Sequence, residues 1–257
     1  MNHPLRWLSL AALERAELPA FAAISHWLKE RFPTAKALKA AGSTENMLTL
    51  TVGDLTAAIT LVPRPIPPSQ LEGPAATAWY WPEAARALSS HEAHLLITLV
   101  DEGGQAIKKA AVLMELAAAA AATSPAVGIF WGPSRTVHSP QAFIDQAAQM
   151  SEDNLPLFLW VDFRIESIES GAYRLYTTGL ETLGQSELEV ARFEGSPQEL
   201  LDFSYNIAHY LLDKRKIVND GDTIGLTDEV RATAHRSTSM LGGDLEVISL
   251  EFERDSA

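Results

Sequence analysis

His91 and His94 are the first residues along the chain whose types and spacing could do chemistry. Histidines at i and i+3 share one face of a helix and could supply two corners of a metal site. Here, however, His94 runs directly into Leu95-Leu96-Ile97, which reads as the start of a strand, where neighbouring side chains alternate between faces. No third ligand stands out among the remaining histidines, so the pair does not read as a metal centre. A second candidate is the segment Trp131-Gly132-Pro133-Ser134-Arg135-Thr136-Val137-His138-Ser139-Pro140, which gathers hydroxyls, a guanidinium and an imidazole after a strand. A nucleophile elbow needs glycines on both sides of its serine to make the strained turn, whereas Ser134 is followed by Arg135-Thr136. The simpler expectation is an ordered turn, with Ser139-Pro140 opening a helix.

Asp220-Gly221-Asp222-Thr223-Ile224-Gly225 combines two carboxylates with two glycines, as ion-binding loops do. It lacks the alternating ligands and closing glutamate of an EF-hand and the lysine of a phosphate loop, so a turn held by aspartate side chains is the expected use. No paired-carboxylate, dinucleotide or Ser-His-Asp pattern stands out, and no cofactor is called for.

The elements that must position these groups follow from periodicity. Leu10 to Phe32 shows helical spacing and predicts an amphipathic helix, or a pair broken near Pro19. Met47–Val52 and Leu55–Val62 read as a hairpin turning at Gly53-Asp54. Pro63 to Pro68 must be an extended connection, since its prolines remove backbone donors. Trp79 to Leu88 predicts a short helix, Ala93 to Val100 a central strand, and Gln105 to Ala122 the strongest helix, with an alanine face that admits close neighbours. Further on, the reading gives a strand at Ala126 to Trp131, a helix at Pro140 to Met150, and strands at Leu157 to Ile165, Tyr173 to Thr178 and Glu187 to Phe193. Ser196-Pro197 opens a helix through Leu212, and strands at Val230 to His235 and Leu245 to Phe252 flank Gly242-Gly243. The order predicts an α+β fold: a mixed, largely antiparallel sheet with helices packed on it, as one compact domain over 1–257 or two halves sharing a sheet. The subdivision to test first falls at Ser151–Asn154, between 1–150 and 151–257.

Composition narrows the classes. Residues 1–150 hold 12 acids and 11 bases, whereas residues 151–257 hold 21 acids and nine bases. An acidic surface repels nucleic acid and anionic lipid and attracts basic proteins, so neither nucleic acid nor membrane is an expected partner. The chain has no Cys, which removes thiolate chemistry and fits a reducing compartment, although a periplasmic protein without cysteine would read the same. The first residues, Met1 to Leu10, do not form a signal peptide, and the Ala-rich stretch around Ala110 to Ala126 carries Glu115, so a soluble cytoplasmic protein is expected.

Several segments taken in order resemble the bacterial family known as domain of unknown function DUF4261. They are Pro65-Ile66-Pro67, Trp79 to Trp81, Ala93-His94-Leu95-Leu96, Gly128 to Gly132, Leu155 to Val161, Thr177 to Leu180 with Leu183-Gly184, Glu187-Leu188-Glu189 and Asp220 to Gly225. The resemblance carries no established activity. It implies a link to proteins encoded beside toxin genes, including immunity proteins of type VI secretion, and so a non-enzymatic inhibitor that binds a basic toxin or effector, such as a nuclease. Such an inhibitor gains association rate by opposing carboxylates to the lysines and arginines that grip phosphate. The candidate contacts are Glu166, Glu169, Glu181, Glu187, Glu189, Asp220 and Asp222. The alternatives are a hydrolase or metal-dependent enzyme built on Ser134/His138 or His91/His94, and an adaptor in a secretion assembly.

Overall fold

Each alternation of apolar and polar residues ends in one of two separate sheets. The computed structural model describes residues 7–33, 37–100, 105–151, 153–214 and 216–254, and its chain divides into two compact units, 1–159 and 160–257. The architecture is α+β, with helices packed on largely antiparallel sheets. Of the segments singled out in the sequence, Met1 to Arg6 and Glu152 lie outside the described residues.

In the first unit the strands are β1 (Leu8–Leu13), β2 (Leu38–Thr44), β3 (Met47–Val52), β4 (Leu55–Val62), β5 (Ala93–Leu99), β6 (Ala126–Trp131) and β7 (Thr136–His138). They form an antiparallel sheet in the order β2-β3-β4-β5-β1-β6-β7. The first strand corrects the sequence reading, because Leu8–Leu13 is extended and only Phe21–Arg31 is helical (α1). Paired with β5 and β6 in the middle of the sheet and covered by helices on both faces, β1 is buried from Ser9 to Leu13, so it carries no period-2 signal. The β3–β4 hairpin forms as read, turning at Gly53 with φ 64°.

Both faces of this sheet are covered. Helix α4 (Ala106–Ala122) lies against β1, β5 and β6 and also meets α1 and α5 (Pro140–Ala147). Ala117, Ala118, Ala119 and Ala120 are fully buried, and their small side chains are what permits the close packing predicted for this helix. On the opposite face, Leu10, Ala12, Phe130 and Val137 join Ile66, Leu71 and Leu88 in a second core under α2 (Pro68–Thr77) and α3 (Ala84–Leu88). The helix read over Trp79 to Leu88 is thus shorter, and α2 replaces part of the expected coil, because Pro68 sits in a first helical turn that needs no donor. Gly128 admits α3 here: a Cβ at that position would lie 2.5 Å from Leu88 Cδ2.

The second unit carries β8 (Asp162–Glu169), β9 (Ala172–Thr178), β10 (Leu188–Glu194), β11 (Thr223–Gly225), β12 (Val230–Thr238) and β13 (Glu246–Arg254), ordered β11-β12-β13-β10-β9-β8. Only the β10–β13 pair is parallel. Residues Leu157–Trp160, read as the start of a strand, form instead a single helical turn (α6), and the strand begins at Asp162. Helix α7 (Pro197–Lys214) packs on β8 and β10, with Leu200, Ile207, Ala208 and Leu211 buried on one stripe. The Ser196 side chain accepts the Glu199 N–H at 3.1 Å, the cap that the Ser-Pro start predicts.

Candidate functional site

The two histidines nearest to a metal motif are consumed by the backbone. His91 donates from Nδ1 to the Leu88 carbonyl (2.6 Å) and accepts the Ile66 N–H at Nε2 (2.7 Å), so its neutral tautomer is saturated. His94, at the start of β5, donates from Nδ1 to the Arg64 carbonyl at 2.9 Å. Burial pushes its pKa below the usual imidazole value, against the pull of that carbonyl. Together they clamp the proline segment beside the start of β5, which supplies partners for a stretch whose prolines cannot donate. Among the described residues no cluster of three or more potential ligands could hold a metal ion.

The Ser134 to His138 segment is also internal. Ser134 Oγ lies 2.9 Å from Thr136 Oγ1, and His138 Nε2 lies 3.1 Å from that same oxygen, so Thr136 separates the serine from the imidazole. All three residues are buried. Tyr80 stacks on the His138 ring with centroids 5.2 Å apart, and Phe143 meets it edge-on at 5.7 Å. Burial drives the His138 pKa down to about 3, leaving a neutral ring with no path to a substrate. Arg135, at φ 59°, makes the turn that feeds β7, and Ser139 caps α5 by accepting the Ala142 N–H. A serine nucleophile is activated by direct contact with its base, and here Thr136 stands between the two.

The acidic candidates separate into two groups. Glu187 and Glu189 are buried, at 6% and 5% exposure. The Glu187 carboxylate accepts from Thr177 Oγ1 (2.7 Å), Gly179 N–H (2.7 Å) and Glu181 N–H (3.0 Å), fixing the turn after β9. Burial nevertheless raises its pKa, outweighing those donors. Glu189 accepts from the Ser239 hydroxyl and the Met240 N–H, anchoring the β12–β13 loop. Glu166 is bound by Arg174 and Tyr176, and the Arg174 hydrogen bond holds its carboxyl below the usual range. Glu169 pairs with Arg192, and Glu181 stands exposed beside its own N–H link to Glu187.

Asp220 and Asp222 remain at the surface. Asp222 accepts the Asn219 N–H at 2.8 Å, the turn geometry expected from the sequence, and Asp220 accepts the Arg236 N–H at 2.9 Å. These bonds hold the Asp220 to Gly225 loop as one wall of an open groove of about 740 Å³, whose other wall is α7. Asn206 and Tyr210 line it from the helix, Lys216 and Ile217 close its end, and Asp222 and Thr223 face them from the loop and β11. Tyr210 and Ile217 are 43% and 76% exposed, so the groove offers apolar contact area in a polar frame. The unit around it holds 19 acids and nine bases. Sequence reading missed Tyr210 and Ile217, since each looks like an ordinary surface position of a helix end; the signal was Ile217, a bulky apolar residue directly after the charged run Asp213 to Lys216.

Residues 176–251 match the family model of DUF4261, a domain of unknown function. The matched stretch runs from β9 into β13 and contains every residue that lines the groove. No curated protein and no solved structure matches the chain.

Proposed function

We propose that this protein acts by binding another protein, as a cytoplasmic immunity-type inhibitor of a basic toxin or effector, and that its acidic second unit makes the contact. The observation that carries this reading is the open groove of that unit, with exposed Tyr210 and Ile217 set among 19 acids and nine bases. Aromatic and aliphatic anchors in a polar rim are what protein interfaces use, and an excess of carboxylates steers a cationic partner into register. The alternative catalytic sites give no comparable support: His91, His94, Ser134 and His138 spend their polar atoms on internal hydrogen bonds. A type VI nuclease effector is the partner class that best fits the charge, because a nuclease must expose lysine and arginine to hold phosphate.

The test is co-purification of the full chain from its native host, with mass spectrometry of what remains bound. A single basic protein, retained by the wild type and by Glu14→Gln/Glu17→Gln but lost from Tyr210→Ala/Ile217→Ala, is the expected result. Retention by the groove variant, or turnover of a small molecule that requires His138 or His91, would overturn the reading.

A further inference from the structure

We propose that the groove receives an extended, basic segment of the partner as a seventh strand added to the free edge at β11. This rests on the protein-binding reading above and specifies how the contact is made. Strand β11 ends the sheet order, paired with β12 on one side, and its residues line the groove. Its ladder phase is fixed by the Ala234 N–H to Asp222 carbonyl bond at 2.9 Å and the Leu226 N–H to Val230 carbonyl bond at 2.9 Å. Asp222, Ile224 and Leu226 therefore direct their backbone groups toward β12, and the antiparallel alternation turns those of Thr223 and Gly225 outward, away from it. Among the described residues no strand pairs with that outer edge.

Three features make this edge a receiving one. Gly225 has open space where a Cβ would stand, so an incoming backbone can approach. Helix α7 runs along the far wall, giving a strand-plus-helix slot in which Tyr210 and Ile217 can take the apolar side chains of an added strand. Asp222 lines the groove and the nearby Asp220, Asp228 and Glu229 are exposed, an excess of carboxylates over the Lys216 of the lining that favours a positively charged occupant. The opposite edge, β8, is by contrast blunted by charge, with Arg164–Asp162 and Arg174–Glu166 ion pairs along it.

The probe is a displayed library of random heptapeptides selected on the full chain, followed by synthetic versions of the enriched sequences. The expected winners alternate β-branched residues with lysine or arginine, shift the Thr223 and Gly225 amide resonances, and protect them from exchange. Methylating alternate backbone nitrogens of the peptide should weaken binding by at least about tenfold while leaving its side chains intact. Thr223→Pro, which removes one outward N–H and leaves the β12 ladder in place, should do the same without altering the far-ultraviolet circular dichroism. The methylated peptides keep the test valid if that variant fails to fold. Enrichment of acidic peptides, no enrichment, or equal binding of methylated and unmethylated forms would overturn strand addition. A native partner that binds wild type and Thr223→Pro equally would remove this inference alone, whereas failure to recover any protein partner would remove the reading beneath it.

Discussion

Glu115 should make the stability of the first unit fall as pH rises. It sits in the middle of α4 between the buried Met114 and Leu116, and burial alone raises its pKa to about 7 from the ordinary carboxyl value of 4.5. A carboxyl with a raised native pKa contributes stability that is fully present below the unfolded value and is lost as pH climbs through the native one. With these two values the site costs little near pH 5 and roughly 2 to 3 kcal/mol more near pH 8. Glu115→Gln keeps the shape and removes the titration. Urea melts of wild type and variant should therefore nearly coincide at about pH 5 and diverge by about pH 8, where the variant is the more stable by that amount, or on the order of 5 to 10 °C in thermal midpoint. The difference between the two proteins isolates Glu115 from His94 and His138, whose lowered pKa values act in the opposite direction as pH falls. Parallel pH profiles for the two proteins would refute the burial of this carboxyl.

Four further outcomes follow from the packing. Ala118→Glu or Ala119→Glu, each at a fully buried site of α4, should lower stability by several kcal/mol, read as a collapsed thermal midpoint. Glu187→Gln should cost about 1 to 2 kcal/mol, because the amide oxygen can keep the Gly179 and Glu181 N–H bonds while its N–H₂ replaces the oxygen that accepts from the Thr177 hydroxyl, whereas exposed Glu229→Gln should leave the melt unchanged. His91→Ala should cost about 1 to 3 kcal/mol by stranding the buried Ile66 N–H and should speed proteolysis within 63–68, with no response of wild-type melting to zinc or chelator. Ser134→Ala/His138→Ala should preserve the protein's biological effect at matched stability, and a selective loss would instead point to chemistry there.

Much of the architecture is legible in the chain wherever one physical signal dominates. The Ser196-Pro197 cap, the Gly53 turn and the alanine face of α4 all act locally, so their elements form where periodicity puts them. The misreadings arise where tertiary context decides. Leu8–Leu13 has the apolar content of a helix start and becomes a strand only because β5 and β6 pair on its two sides. Leu157–Trp160 is apolar enough for a strand yet makes a helical turn. Among the site residues, Asp220 and Asp222 occupy the exposed turn that their glycine spacing predicts. Glu187 and Glu189 do not, because a charge in the sequence carries no mark of whether backbone N–H groups will converge on it. The groove itself was invisible, since the residues that line it fall within 206–226 and face one another only because the chain folds back between the end of α7 and β11.

The measurement that tests the central claim most directly is the association rate of the full chain with its recovered protein partner as salt rises from about 0.05 to 0.5 M, a range over which the screening length falls from roughly 14 to 4 Å. Carboxylate steering by the second unit predicts a rate that drops by about tenfold or more while dissociation changes little, and a further drop at low salt for Asp220→Asn/Asp222→Asn but not for Glu14→Gln/Glu17→Gln. Association that is indifferent to salt, with all these variants behaving alike, would contradict it.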